Sequence, residues 1–199
     1  MQSISSLREI KLLNPVKTSF LFVTWEGGGN VPPVLGLASR LIKRGHRVRV
    51  LSEPCLEDAV NVAGAEFIPL TKHFTRTDRS IDIIQDWNAK PLTIPSIENI
   101  LIRPAFDLAN ETISAIKKEQ TDIVVADFMM IGSLIAAQVM NIKRVALFHM
   151  PEYLPGPGRP PGGLGLLPLN TRLGRLRDKL LTTIFNRVIN QYLPPLNKV

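Results

Sequence analysis

Short apolar runs alternate along this chain with longer segments of helical period. Ser19 to Trp25 reads SFLFVTW, apolar at both odd and even positions. A strand with that pattern is buried on both faces, as in a parallel sheet. The next five residues, Glu26-Gly27-Gly28-Gly29-Asn30, break any regular period. Pro32 and Pro33 suit a first helical turn, and Val34, Leu35, Leu37, Ala38, Leu41 and Ile42 then recur at helical spacing up to Gly45. His46 to Leu51, HRVRVL, alternates as a short strand. Strand, glycine turn, helix and strand in succession make a βαβ unit.

The pattern continues. Leu56 to Ala63 predicts a short helix closed by Gly64, and Glu66 to Leu70 a third strand. Residues 71–96 form a polar excursion that includes His73, Phe74 and Trp87. Ile97 to Lys118 is helical in period with a break near Pro104. Asp122 to Ala126 predicts a buried strand, Ile131 to Met140 a helix and Lys143 to Phe148 a fifth strand. Pro151 to Pro168 holds six prolines and five glycines and is read as a loop. Thr171 to Tyr192 predicts an amphipathic helix whose stripe of Leu173, Leu176, Leu180, Ile184 and Val188 is expected to face the protein. Five strands alternating with helices predict an α/β fold, a Rossmann-like doubly wound and mostly parallel sheet over residues 19–199, after a polar lead-in at 1–18. Ligands of such sheets bind outside the carboxyl ends of the strands. The 26–30 turn, Asp127 and His149 all fall there.

Composition narrows the class. The 199 residues are 45% hydrophobic and 21% charged, enough apolar material for one core and too much for a disordered chain. One cysteine, Cys55, and three histidines exclude a disulfide framework and argue against a Cys- or His-rich metal centre, so no metal is expected. No apolar run approaches the roughly 20 residues of a membrane span. The first 18 residues have no secretory signal pattern, and the expected location is cytoplasmic. The net charge is +7, five units of it in residues 151–199. No motif accompanies that charge to suggest nucleic acid, which is not expected as a partner. Peripheral contact of the basic terminal helix with anionic lipid stays open.

Each candidate residue has a functional and a plainer reading. Bare N–H groups on the glycine turn favour an anion; equally, three glycines serve a tight turn that needs positive φ. The turn is no dinucleotide fingerprint, because Pro32 stands where G-x-G-x-x-G needs glycine. Asp127, after a buried strand, can handle a proton or cap the following helix. His149 can act as a base or contact a ligand, or be structural. His46 and Cys55 are read as structural, and His73 carries no signal.

Three stretches in order resemble the family 1 type, GT-B fold glycosyltransferases: FLFVTWEGGGNVPPVLGLASRLIKRGHRVRVL at 20–51, DIVVADFMMIGSLIAAQVMNIKRVALFHM at 122–150 and GLGLLPLNTRLGRLRDKLL at 163–181. The resemblance implies sugar transfer from a nucleotide-sugar to an acceptor hydroxyl with inversion. The donor is then a co-substrate, and no bound cofactor is expected. In many members the polar residue before V-x-P is a histidine base, oriented by a buried Asp at the place of Asp127. Here that residue is Asn30, which can hydrogen-bond a hydroxyl but cannot take its proton. Asp127 becomes the first candidate base, with Glu26 and His149 behind it. Glu26, Gly27, Gly28, Gly29, His149 and Glu152 are expected to line the substrate site. Phe74, Trp87 and Tyr153 point to an apolar or aromatic acceptor, and the resemblance also implies a hydroxyl-bearing small molecule or lipid. The family's nucleotide-sugar segment has no match here. The chain is therefore expected to be the N-terminal, acceptor-binding half, inactive alone and completed by a separate nucleotide-sugar domain. The alternative is a non-catalytic binding module, or a truncated gene product, that takes an apolar ligand or partner chain.

Overall fold

In the computed structural model, which describes residues 17–81, 83–84, 96–149, 155–156, 158–162 and 164–195, five strands form one all-parallel sheet. They are β1 (Ser19–Val23), β2 (Arg47–Ser52), β3 (Glu66–Pro69), β4 (Ile123–Asp127) and β5 (Lys143–Leu147), in the order β3-β2-β1-β4-β5. The helices are α1 (Val31–Lys43), α2 (Glu57–Val62), α3 (Ala105–Lys118), α4 (Ile131–Val139) and α5 (Arg172–Asn190). The α/β, Rossmann-like reading holds, and each predicted strand lies within a residue or two of its observed place.

Alternation along each strand sorts the core into two layers. Leu21, Val23, Leu51, Val124 and Ala126 pack with Leu108, Ala115 and Ile116 of α3 and Ala137 of α4. Phe22, Val48, Val50 and Val125 pack on the opposite side with Val31, Val34 and Ala38 of α1 and Val60 of α2. Both faces of β1 and β4 are thus covered, which is why their sequences are apolar at every position. The direction of winding reverses between β1 and β4, and the crevice outside their carboxyl ends is where ligands of this architecture bind.

Two features go beyond the local pattern, and one expectation is corrected. The expected break near Pro104 is present: Ile97–Ile102 is a π-helical turn, and α3 begins at Ala105. Pro104 has no N–H to give, and the preceding Arg103 N–H reaches Glu98 O, five residues back. Arg49, which the alternation groups with exposed Arg47, is 1% exposed. Its guanidinium caps the end of α3, donating to Ala115 O at 2.9 Å, Glu119 O at 3.1 Å and Thr121 Oγ1 at 2.5 Å. Finally, the α5 stripe is not buried: Leu173, Leu176, Leu180 and Ile184 are all more than half exposed. The helix turns Gly174 and Asp178 inward instead, and its Arg177 donates to Leu167 O. Gly174 lies so close to Leu169 that no side chain would fit. Contact with its own leading segment, residues 167–171, holds the start of α5.

Candidate functional site

β1 and β4 run side by side, Val23 opposite Ala126, and so deliver the 26–30 turn and Asp127 to the same crevice. Asn30 begins α1, where prolines at the next positions need no N–H partner. Its side chain does not cap that helix. It folds back: Oδ1 accepts from Gly27 N at 3.0 Å, and Nδ2 donates to Trp25 O and to Asp127 Oδ2, both at 2.8 Å. Asn30 and Asp127 are 2% and 1% exposed. The other carboxylate oxygen of Asp127 accepts from Met129 N at 3.0 Å. That is a turn contact two residues on, whereas the helix-capping reading would place Asp127 at the start of α4, which begins after Met130.

His149, just past β5, brings Nδ1 to 3.7 Å from Asp127 Oδ2. That nitrogen is buried and has no hydrogen-bond partner among the described residues. Burial pushes the Asp127 carboxyl above the usual carboxylate range, opposed by the Met129 N–H, the Asn30 amide and the His149 ring. A carboxylate, an amide and an imidazole therefore meet at one point of the crevice.

The glycine turn is held from within. Glu26 N donates to Glu53 Oε1 at 2.9 Å, Gly28 N to Glu26 Oε1 at 2.7 Å and Gly29 N to Gly27 O at 3.2 Å. With Gly27 N on Asn30, all four N–H groups are taken by the protein, and a phosphate here would have to displace a carboxylate. Gly28 adopts φ 79, and a Cβ on Gly27 would fall 2.8 Å from the Trp25 ring. The two residues thus need glycine for different reasons.

Glu53 and Arg76 escaped the sequence reading. Glu53, fully buried beyond the end of β2, pairs with Arg76 through both carboxylate oxygens at 2.6 Å. Arg76 also reaches Glu26 O at 2.5 Å. Arg79 Nε stands 2.6 Å from Glu26 Oε2, an ion contact without hydrogen-bond alignment. Residues 76–79 of the polar excursion are thereby fastened to the glycine turn. An acidic residue at the end of the strand beside β1 was the available signal. Phe74 packs on Trp25 with ring centroids 6.1 Å apart. Cys55 is half-buried, and its thiol is pushed up by burial and by the Glu53 carboxylate, as suits a packed thiol. Glu152, Trp87 and Tyr153 lie outside the described residues.

No family model matches the chain. It is 27% identical over 173 residues to 4'-demethylrebeccamycin synthase of Lentzea aerocolonigenes, covering 85% of this chain and 41% of that protein. It is 25% identical over 119 residues to NDP-glycosyltransferase YjiC of Bacillus subtilis (strain 168), covering 60% of this chain and 29% of that one. The chain thus spans less than half the length of either curated relative. Among solved structures, the glycotransferase of kitacinnamycin shares the fold, with a TM-score of 0.50 and 21% identity over 66% of this chain and 30% of that one. Sequence relatives and fold agree: the chain is similar to part of the family 1-type, GT-B fold glycosyltransferases, and it shares their parallel α/β sheet with flanking helices.

Proposed function

We propose that residues 19–199 are the N-terminal, acceptor-binding half of an inverting glycosyltransferase. The sugar comes from a nucleotide-sugar held by a second domain, and the acceptor is an apolar or lipid-like molecule bearing a hydroxyl. The observation that carries this reading is the meeting of Asn30, Asp127 and His149 at the switch point of the sheet. Such a cluster suits proton handling at a hydroxyl. The turn beside it, its N–H groups already occupied, suits a diphosphate poorly. Asp127 supplies the negative charge and Asn30 holds its carboxylate in place. Glu26 and Gly27 to Gly29 shape the adjoining wall.

Catalysis requires donor and acceptor in one site. On this reading residues 19–199 bind the acceptor, and a nucleotide-sugar domain completes the site in the cytoplasm. One relative is named as a 4'-demethylrebeccamycin synthase, which supports a small molecule as the acceptor class. The exposed leucines of α5, flanked by Arg172, Arg175, Lys179 and Arg187, give a surface for peripheral contact with anionic lipid.

Calorimetric titration with a flavonol, with uridine diphosphate and with NAD tests the reading. Binding of the flavonol alone is expected. Binding of NAD without the flavonol would overturn it. The second reading, a non-catalytic binding module, draws on the amide at Asn30. Mixing the chain with the nucleotide-sugar half of a relative and searching for glycoside by mass spectrometry separates the two.

A further inference from the structure

Among the described residues the buried Nδ1 of His149 has no hydrogen-bond partner, and the carboxylate of Asp127 lies 3.7 Å away. A buried ring nitrogen without a partner is costly in either protonation state, unless it is a donor aimed at a nearby anion. Asp127 Oδ2 is that anion. It accepts one hydrogen bond, from Asn30, and a carboxylate oxygen has room for a second. Asp127 itself cannot meet a substrate: it is 1% exposed, with Oδ1 on Met129 N and Oδ2 on Asn30.

We infer that His149 is the catalytic base and Asp127 its positioning residue, a pair formed from the carboxyl ends of β5 and β4. This rests on the acceptor-binding reading above. Asp127 holds the proton on Nδ1, leaving the lone pair on Nε2, at the opposite edge of the ring. The acceptor O–H gives its proton to Nε2. The freed oxygen pair forms the bond to the sugar's anomeric carbon, the bond from that carbon to the nucleotide diphosphate breaks, and its electrons leave with the diphosphate. The imidazolium so formed is stabilised by Asp127. Catalytic hydrogen bonds are often long before substrate binds, and 3.7 Å needs to shorten by less than 1 Å. The Phe128 ring, 5.8 Å from the His149 ring, limits its rotation.

Long-range proton–nitrogen NMR on the chain as it stands tests the pair. There are three histidines. His46 is an internal reference, because its Nδ1 accepts from Thr18 N and its proton must be on Nε2. His149, assigned through His149→Gln, is expected to show the reverse, a protonated Nδ1 and a bare Nε2. Asp127→Asn is expected to move the His149 proton to Nε2. Adding a flavonol is expected to shift Nε2 of His149 and leave His46 unmoved. An Nε2–H tautomer in the parent chain overturns the inference even if Asp127→Asn fails to fold. So does an acceptor that binds without moving the His149 signals. Absence of acceptor binding overturns instead the reading on which the pair rests, and the tautomer is measured either way.

Discussion

Two glycines in helices should respond to alanine with opposite signs. Gly132, near the start of α4, faces the start of α3, where a Cβ would fall 2.1 Å from Ala105 O and 2.9 Å from Ala105 C. Side-chain Cβ contacts essentially never fall under 3.0 Å, so Gly132→Ala forces α3 and α4 apart by about 0.9 Å. The obstacle is backbone and cannot swing aside. Overpacking of this kind costs about 3 kcal/mol, the upper part of its usual range. The gain in helix propensity is at most about 1 kcal/mol, leaving a net loss of about 2 kcal/mol. Gly36, exposed in the middle of α1, meets nothing within 4 Å, and Gly36→Ala keeps the whole gain of about 1 kcal/mol. With a urea slope of about 2 kcal/mol per molar, the midpoint should fall by about 1 M for Gly132→Ala and rise by about 0.5 M for Gly36→Ala. Equilibrium urea unfolding followed by far-UV circular dichroism measures both. A midpoint unchanged or raised by Gly132→Ala would refute the close approach of the two helices.

Asp127 has a folded-state pKa above its unfolded value, so the native state binds the extra proton, and the stability this contributes is present below about pH 3.8 and lost as pH rises through the folded value. Asp127→Asn removes that dependence: relative to the parent chain, its urea midpoint should improve from pH 3.5 to pH 7, and a constant or declining difference contradicts the burial effect. Arg49→Met keeps much of the volume but leaves the carbonyls at the end of α3 without their donor, an expected loss of about 2–4 kcal/mol by urea unfolding. Flotation with vesicles tests the α5 surface: binding to anionic vesicles at low salt, loss on Leu180→Glu and no binding to zwitterionic vesicles are expected, and equal recovery with both vesicle types argues against lipid.

Local pattern reveals an element when the element's environment is uniform. β1 and β4, covered on both faces, announce themselves as continuous apolar runs, and α1 is framed by Pro32, Pro33 and Gly45. The burial of Arg49 is not legible locally, because its partners are carbonyls some seventy residues further on, beyond any local window. Glu53 and Arg76 were invisible for the same reason: neither is unusual until the fold brings them together at 2.6 Å. In α5 the period correctly marked an apolar stripe, but period alone does not say what covers it, and among the described residues its leucines are open. Within the candidate site, the carboxyl-edge rule assembled the 26–30 turn, Asp127 and His149. It did not reveal that the N–H groups of the turn are spent on Glu26, Glu53 and Asn30, which depends on side-chain direction.

The order β3-β2-β1-β4-β5 has a consequence for how the chain comes to be folded. Of the five described strands, β1 is the first to be made and lies in the middle of the finished sheet. One of its edges pairs with β2 soon afterwards, but the other waits for Ile123 to Ala126, about a hundred residues later. During synthesis, at roughly 5–20 residues per second, the segment FLFV spends several seconds with one edge open and one apolar face uncovered. Parallel pairing without hairpins is slow in any case, since long loops must close before the ladder repays them. The most apolar strand of the described sheet is therefore also its longest-exposed one, and that interval is when a nascent chain is most open to aggregation or to capture by a chaperone.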